Sequence, residues 1–423
     1  MGVPAWRAWA RASGVGVVAT AAGMAASLFV LPALSPKAFP YWSAPPDAWL
    51  TLQAAHLVAW GGLPLIYEAG NRGGGALFVS GPILPILMAP VAMLSAHFGW
   101  SEAYPLFVPR PSAWPVYGAA GLFVCSVPLF LSMRSLRRAV GGMKVPLWAL
   151  ELAAAVLVLL PTAVLYGHYE DVLALALVAA ALARLPAVWE GAPPSLGASP
   201  ALMLALAVLC KQWAALAIPV LVAVLPRGRR LRGLAVAAGL PAVVFGFFLA
   251  VDWRFASVAL LHPPSFPRLR HAALWVSPGA SSVVGTPSRL VAFVLAGAVA
   301  WWLWDRRDLV VVVTGFALVL LARGLFEPVA FSYYFGPGIA LFLVGATASR
   351  GRAGWVFGAG TALLAWFLVY PPRPIWWVGL GLLCLATAGP AMVDVLAIRP
   401  MPRASDAWGF LGRSGMKIRR RSA

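Results

Sequence analysis

The chain has 423 residues, of which 61% are hydrophobic and only 11% are charged, and its mean hydropathy is +0.85. Soluble proteins carry about 25% charged residues, so this composition excludes a soluble chain of two or three domains and indicates an integral membrane protein. The net charge of +19 does not indicate nucleic acid binding, because the basic residues lie in short clusters between apolar runs. Such clusters are typical of cytoplasmic loops.

Twelve apolar runs, most of them close to the length of a membrane helix, follow one another along the chain. They span residues 14–34, 76–97, 113–133, 146–165, 171–189, 200–226, 233–251, 289–304, 309–326, 329–348, 354–370 and 375–398. We therefore predict an all-α, polytopic protein of the plasma membrane with 10–12 transmembrane helices. Residues 1–398 would form a single transmembrane domain, and residues 399–423 a basic cytoplasmic tail.

Two of these runs contain features that interrupt a spanning helix. Three prolines break the run 76–97, and Lys211 and Gln212 lie at the centre of the run 200–226. If both runs enter the membrane and return, more of the basic residues fall in cytoplasmic loops than if every run crosses. We favour this arrangement, which implies a cavity, because irregular backbone at membrane depth is tolerated only beside protein or water.

The hydrophilic stretch 35–75 is the first candidate functional segment, and either arrangement places it outside the cell. Two prolines precede Asp47, which begins an amphipathic stretch ending near Trp60. This pattern predicts a helix lying on the outer membrane surface. Asp47 is either only the N-cap of that helix or also a catalytic carboxylate. Tyr67 and Arg72 lie further along the same loop.

A short polar turn between two apolar runs is the second candidate. It carries His168, Glu170 and Asp171 beside a glycine. Such groups suit a sugar, a phosphate or a divalent metal. The alternative is a solvated hairpin loop in which Asp171 caps the next helix.

The third candidate is the pair Lys211 and Gln212. A lysine near the centre of an apolar run cannot easily reach either membrane interface. We therefore predict that Lys211 faces a cavity and pairs with an anion, with a snorkelling lysine in an ordinary helix as the alternative.

The fourth candidate region contains Arg323 and Glu327, followed by two tyrosines. Their spacing of four residues allows the two side chains simply to pair with each other on one helix face. Tyrosines at such a position are usually membrane-interface anchors.

Taken in order, these motifs resemble the GT-C superfamily of membrane glycosyltransferases. The match is closest to actinobacterial mannosyltransferases that use a polyprenyl-phosphate sugar donor. The resemblance rests on the early acid Asp47 with its helix, the proline-broken run, the turn 167–171, the break at Lys211 and the region that begins at Arg323. The chain departs from the family where Gln212 replaces a proline and where the first loop lacks an Asp-X-Asp sequence.

The resemblance implies that a sugar, mannose by the nearest match, moves from polyprenyl phosphate to a glycan or glycolipid acceptor at the outer face, with inversion. Asp47 would act as general base. The cations Lys211, Arg72 and Arg323 would hold the donor phosphate. The residues expected to bind sugar or acceptor hydroxyls are Tyr67, His168, Glu170, Asp171, Gln212 and Glu327. No cofactor is implied, and a divalent metal stays open because the Asp-X-Asp sequence is missing.

Two other classes compete with this interpretation. A polytopic transporter or lipid flippase would show an internal repeat with matched broken helices in both halves. A non-catalytic membrane subunit would tolerate the loss of Asp47 without loss of chemistry.

Overall fold

The computed structural model describes residues 14–26, 46–68, 78–99, 114–141, 143, 145–192, 199–261, 282–326 and 332–350. Within these ranges the regular structure is helical throughout, without a β-strand, which confirms the predicted all-α class. The last two predicted runs, 354–370 and 375–398, and the tail from residue 399 lie outside the described residues.

Fifteen α-helices follow one another in the described part of the chain. They are α1 (Gly14–Ala25), α2 (Pro46–Ala59), α3 (Ile83–His97), α4 (Trp114–Val140), α5 (Leu147–Ala154), α6 (Tyr169–Ala183), α7 (Leu185–Trp189), α8 (Pro200–Cys210), α9 (Ile218–Val224), α10 (Arg230–Leu234), α11 (Leu240–Val251), α12 (Trp253–Leu261), α13 (Ser282–Trp302), α14 (Leu309–Phe326) and α15 (Gly336–Arg350). The 3₁₀ segments are Leu63–Glu68, Gln212–Ala217, Arg227–Arg229 and Ser332–Phe335, and π-helical turns cover Ala155–Leu165 and Ala235–Gly239.

Four continuous helical stretches are long and apolar enough to cross a membrane. They are Val116–Val140, Leu147–Val164, Tyr169–Trp189 and Arg227–Val251. At a rise of 1.5 Å per residue, the shortest of them, with 18 residues, is about 27 Å long, close to the hydrocarbon thickness of a bilayer. Eight further apolar helices have 10–17 residues. Large apolar side chains such as Val243 (72% exposed) point outward, as expected of a surface covered by lipid.

Helix α6 lies at the centre of the bundle. Its sequence is apolar around almost its whole circumference, with small Ala residues between Leu and Val, so it can be surrounded by other helices. It packs against α4 and α8. The contact with α4 is close, because a Cβ atom at Gly121 would lie only 2.7 Å from the ring of Tyr169.

The run that contains Lys211 forms a hairpin inside the bundle. Helix α8 is antiparallel to α6, since Lys211 at its C-terminal end contacts Glu170 at the start of α6. The backbone is extended at Lys211 (φ −150°, ψ 125°), and the chain then returns through α9. At the C-terminal end of α9, the Val224 carbonyl accepts a hydrogen bond from the Trp189 indole at 2.9 Å, so α9 ends close to the point where α7 ends. The predicted interruption at Lys211 is confirmed, and the run starts and ends at the same end of the bundle.

Among the residues that the structure describes, the two ends of the bundle differ in charge. Helix α5 and its π-helical continuation run from one end to the other. Arg137 donates to Val145 just before α5 begins, and His168 follows the last π-helical turn. The basic end, as we call it, carries Arg137, Arg138, Arg184, Arg227, Arg229, Arg230, Arg232, Arg306 and Arg307. Arg227 and Arg230 pair there with Asp305. Lys211, Arg254 and Arg323 lie at the opposite end.

Candidate functional site

Charged side chains from two distant segments meet at the N-terminal end of α6. The Lys211 ammonium donates to Glu170 Oε1 at 2.9 Å and to Ser80 Oγ at 2.8 Å, and it lies 3.6 Å from Asp171 Oδ2. His168 Nδ1 lies 3.2 Å from Glu170 Oε1 and 3.5 Å from Asp171 Oδ2. We call His168, Glu170, Asp171 and Lys211 the charged cluster. The prediction that Lys211 pairs with an anion is confirmed, and that anion is a pair of carboxylates.

The charged cluster is buried. Glu170 and Asp171 are each 2% exposed, and Lys211 is 8% exposed. This burial excludes both the solvated hairpin loop and the snorkelling lysine. Asp171 does not cap α6 either, because the N-cap position is His168 and no side chain there bonds a backbone N–H. The two carboxylates instead lie in the first turn, where the partial positive charge of the helix end favours them.

The turn before α6 depends on Gly167. Its φ is +73°, a left-handed conformation that a side chain disfavours. The turn allows the His168 N–H to donate to the Thr162 carbonyl at 2.9 Å, which ends the preceding π-helical stretch. His168 and the two acids therefore enter α6 directly beside Lys211.

A close contact between the segment before α3 and the end of α8 fixes the position of Ser80. The Gly81 N–H donates to the Cys210 carbonyl at 3.0 Å, and a Cβ at Gly81 would overlap the Leu209 carbonyl oxygen. Only glycine fits where this segment crosses the end of α8. Gln212 holds the same segment, because its amide donates to the Val79 carbonyl at 3.0 Å. Gln212 thus contacts the backbone that positions Ser80.

Arg323 is connected to the charged cluster through an aromatic residue. The Trp213 indole donates to Asp171 Oδ1 at 2.5 Å. The Arg323 guanidinium lies 5.5 Å from the centre of the Trp213 ring and 4.5 Å from that of Tyr334, within the range of cation–π interactions. Arg323 is only 6% exposed, so α14 contributes a buried cation to this region.

The donor atoms of the cluster fit a cation. One ligand atom from each of His168, Glu170 and Asp171 lies within 4.8 Å of the others. Glu170 Oε2 and Asp171 Oδ2 are buried, and the described part of the chain supplies no hydrogen-bond partner for either. Carboxylates are suitable ligands for Mn²⁺ or Mg²⁺, and imidazole is a suitable ligand for Zn²⁺ or Fe²⁺. The cation that the cluster contains here is the Lys211 ammonium.

The other predicted site residues are not brought into the cluster by the described structure. Asp47 is the second residue of α2, where its backbone is described but its side chain is not. Arg72 and Glu327 lie outside the described residues. Tyr67 is fully buried in a separate apolar cluster, where its ring packs edge-on against Phe248 at 5.3 Å.

Helix α2 forms as predicted, but it does not show the predicted one-sided pattern. Every residue from Leu50 to Leu57 is buried, including Gln53 and His56. The reason is that its polar residues find partners inside the protein. His56 Nε2 lies 2.9 Å from the Tyr117 hydroxyl of α4 and its ring stacks on Trp60. Burial lowers the pKa of His56 to about 4.

Sequence reasoning missed two members of the site, Ser80 and Trp213. Trp213 directly follows the Lys211–Gln212 break, and this proximity was the available signal. Ser80 precedes the Gly81–Pro82 pair, but its contact depends on a crossing of two segments about 130 residues apart, for which the sequence carries no periodic signal.

No protein-family model and no curated protein sequence matches this chain. The fold and the site define an all-helical protein with the helices of a membrane protein and a buried charged cluster at the end opposite its basic loops.

Proposed function

We propose that this protein is a glycosyltransferase of the GT-C type, with 10–12 membrane-spanning helices. It transfers a sugar, mannose by the motif resemblance, from a polyprenyl-phosphate donor to a glycan or glycolipid acceptor. The observation that carries the proposal is the charged cluster, whose ionisable groups are buried among apolar helices. Ionisable groups inside a membrane bundle are costly and mark functional sites by default.

The distribution of basic residues supports an active site on the extracytoplasmic side. Positive loops stay in the cytoplasm, and the basic end lies opposite the charged cluster. The cluster would then face the outer leaflet, where an acceptor arriving from outside meets a donor whose prenyl chain remains in hydrocarbon.

The division of roles follows from the chemistry of the transfer. The carboxylate of Asp47 takes the proton of the acceptor hydroxyl, whose oxygen attacks the anomeric carbon while the bond from that carbon to the phosphate oxygen breaks. Polyprenyl phosphate leaves with the bonding electrons. Helix α2, whose second residue is Asp47, packs against α3, and the segment before α3 carries Ser80 into the cluster.

The remaining site residues bind the two ends of the donor. Arg323, buried beside Trp213, and Arg72 are the cations proposed for the leaving phosphate. The charge of Lys211 is already matched by Glu170, so Lys211 would contact phosphate only by leaving a buried ion pair. Oε2 of Glu170 and Oδ2 of Asp171 are acceptors suited to sugar hydroxyls.

The test is to incubate the purified protein with a panel of polyprenyl-phosphate sugars and to measure release of polyprenyl phosphate. We expect release with at least one sugar and a loss of about 10²-fold or more in Glu170→Gln, the size of effect seen when one preorganised polar group is removed. Glu190→Gln is the matched control, because Glu190 is exposed beyond α7 at the basic end. No release with any sugar, or equal rates in both variants, contradicts the proposal.

A transporter is the second candidate, favoured by the helix broken at Lys211 beside buried charges, a feature that transporters share. Counterflow of a polyprenyl-phosphate sugar across vesicles that contain the protein, without release of polyprenyl phosphate, would favour the transporter.

A further inference from the structure

The charged cluster has the donor atoms of a divalent metal site but contains an ammonium group. His168, Glu170 and Asp171 supply the ligand atoms, and two carboxylate oxygens, each on a side chain only 2% exposed, are without hydrogen-bond partners in the described part of the chain. Lys211 Nζ lies 2.9 Å from one carboxylate and 3.6 Å from the other. It therefore occupies the position between the carboxylates in which a metal ion would bind.

A divalent metal on Glu170 Oε1 and this ammonium compete for the same oxygen. A metal bound to Glu170 Oε1 at about 2.1 Å would lie within about 5 Å of Lys211 Nζ, because that atom is 2.9 Å from the same oxygen. Two cations at this distance repel strongly in a dry interior. Either the metal displaces the lysine, or the lysine excludes the metal.

The fold favours the lysine, because several independent contacts hold its side chain in place. Ser80 accepts from its ammonium at 2.8 Å, and Ser80 is fixed by the crossing at Gly81. The extended backbone at Lys211 ends α8 directly opposite the first turn of α6. The partial positive charge of that helix end supplies further compensation for two carboxylates that share one ammonium.

We propose that the Lys211 ammonium is a built-in replacement for a divalent metal. It pairs with Glu170 and Asp171 and closes the cluster to metal ions. The consequence for catalysis, which rests on the proposed function, is that sugar transfer does not need a divalent metal at this cluster.

The experiment measures Mn²⁺ binding by the loss of the free-ion electron paramagnetic resonance signal. Purified wild-type protein, Lys211→Met and the double variant Lys211→Met/Asp171→Asn are each titrated in detergent. We expect Lys211→Met to gain one site that binds Mn²⁺ at least about 100-fold more tightly than any site in the wild type. The double variant should lose most of that gain, because it lacks one ligand.

Thermal unfolding with and without Mn²⁺ provides the second measurement. A metal that binds only the folded state raises its stability, so Mn²⁺ should raise the Tm of Lys211→Met and not that of the wild type. Lys211→Gln, which removes the charge but can still bond Ser80, repeats the comparison if the methionine variant folds only when Mn²⁺ is present.

Two results overturn the proposal. One is Mn²⁺ binding by the wild type that Asp171→Asn abolishes. The other is that Mn²⁺ neither binds to Lys211→Met or Lys211→Gln nor raises the Tm of either variant. Neither measurement depends on sugar transfer, so failure of the glycosyltransferase assay leaves this test intact. Conversely, a transferase that a chelator inactivates, with no Mn²⁺ at the wild-type cluster, would need a metal elsewhere and would leave the assignment of Lys211 standing.

Discussion

At the scale of single residues, a substitution of Asp47 can distinguish a structural role of this residue from a catalytic one. It lies at the second position of α2, directly before the part of the helix that packs into the bundle. The helix begins at Pro46, so Asp47 is a first-turn residue and not the predicted N-cap. Asparagine keeps an oxygen that can accept from the N–H groups of that turn, but it lacks the carboxylate that would take a proton.

We therefore expect Asp47→Asn to lower the rate of sugar transfer by about 10²–10⁴-fold with only a small drop in Tm, because a first-turn charge contributes about 0.3–1 kcal/mol. The release of polyprenyl phosphate measures the rate, and thermal unfolding of the same preparation measures the Tm. Asp47→Ala is the comparison, because it removes the acid and the hydrogen-bonding oxygen together. Transfer by Asp47→Asn at close to the wild-type rate would leave Asp47 with a structural role at the start of α2 only.

His56 is a second residue whose role is testable, through pH. Its pKa falls from 6.5 to about 4 in the folded protein because the ring is buried against Tyr117 and Trp60. Between these values the unfolded chain binds a proton that the folded protein does not. Stability should thus be unaffected by His56 above about pH 6.5 and fall as the pH is lowered from about 6.5 to about 4.

The measurement is the Tm of the wild type and of His56→Gln across this pH range. Glutamine can keep the contact with the Tyr117 hydroxyl but does not titrate, so its Tm should fall less steeply below pH 6.5. Parallel curves for the two proteins would show that His56 contributes nothing to the acid sensitivity.

At the scale of elements, the site is assembled where the segment before α3 crosses the end of α8. The crossing leaves no space for a side chain at Gly81. Gly81→Ala must push the segment away from Leu209, and Ser80 moves with it. We expect a clear drop in Tm and a loss of transfer, because the Lys211–Glu170 pair loses its shared hydroxyl.

Gly246→Ala in α11 is the matched control for Gly81→Ala. A Cβ at Gly246 meets nothing within 4 Å, and alanine favours a helix over glycine by about 1 kcal/mol. This variant should keep its activity and equal or exceed the Tm of the wild type. Tm values for Gly81→Ala and Gly246→Ala that are both close to the wild-type value would mean that the segment can shift without cost.

The same elements show what the sequence could predict. The break at Lys211 was predictable because a charged side chain inside an apolar run needs a partner. The helix that contains Asp47 was predictable because two prolines precede this residue. The burial of α2 was not predictable, since whether Gln53 and His56 face water or a protein partner depends on which helix packs against them. The partner of Lys211 was expected to be an anion, but only the antiparallel packing of α8 on α6 identifies it as Glu170.

At the scale of the whole molecule, the asymmetry of charge between the two ends predicts its orientation in the membrane. Arg307 lies at the basic end, and Arg254 follows α11 at the opposite end; both are exposed. About 25 helical residues, Arg227–Val251, separate these two ends. By the positive-inside rule, the basic end faces the cytoplasm.

Single cysteines at these two positions test the orientation. The background should have its three natural cysteines replaced; two of them, Cys125 and Cys210, are buried. In intact cells, a membrane-impermeant maleimide should label Arg254→Cys and not Arg307→Cys, and after lysis it should label both. Labelling of only Arg307→Cys in intact cells would place the charged cluster toward the cytoplasm. The proposed transfer at the outer face would then be untenable, because donor and acceptor would meet on the wrong side of the membrane.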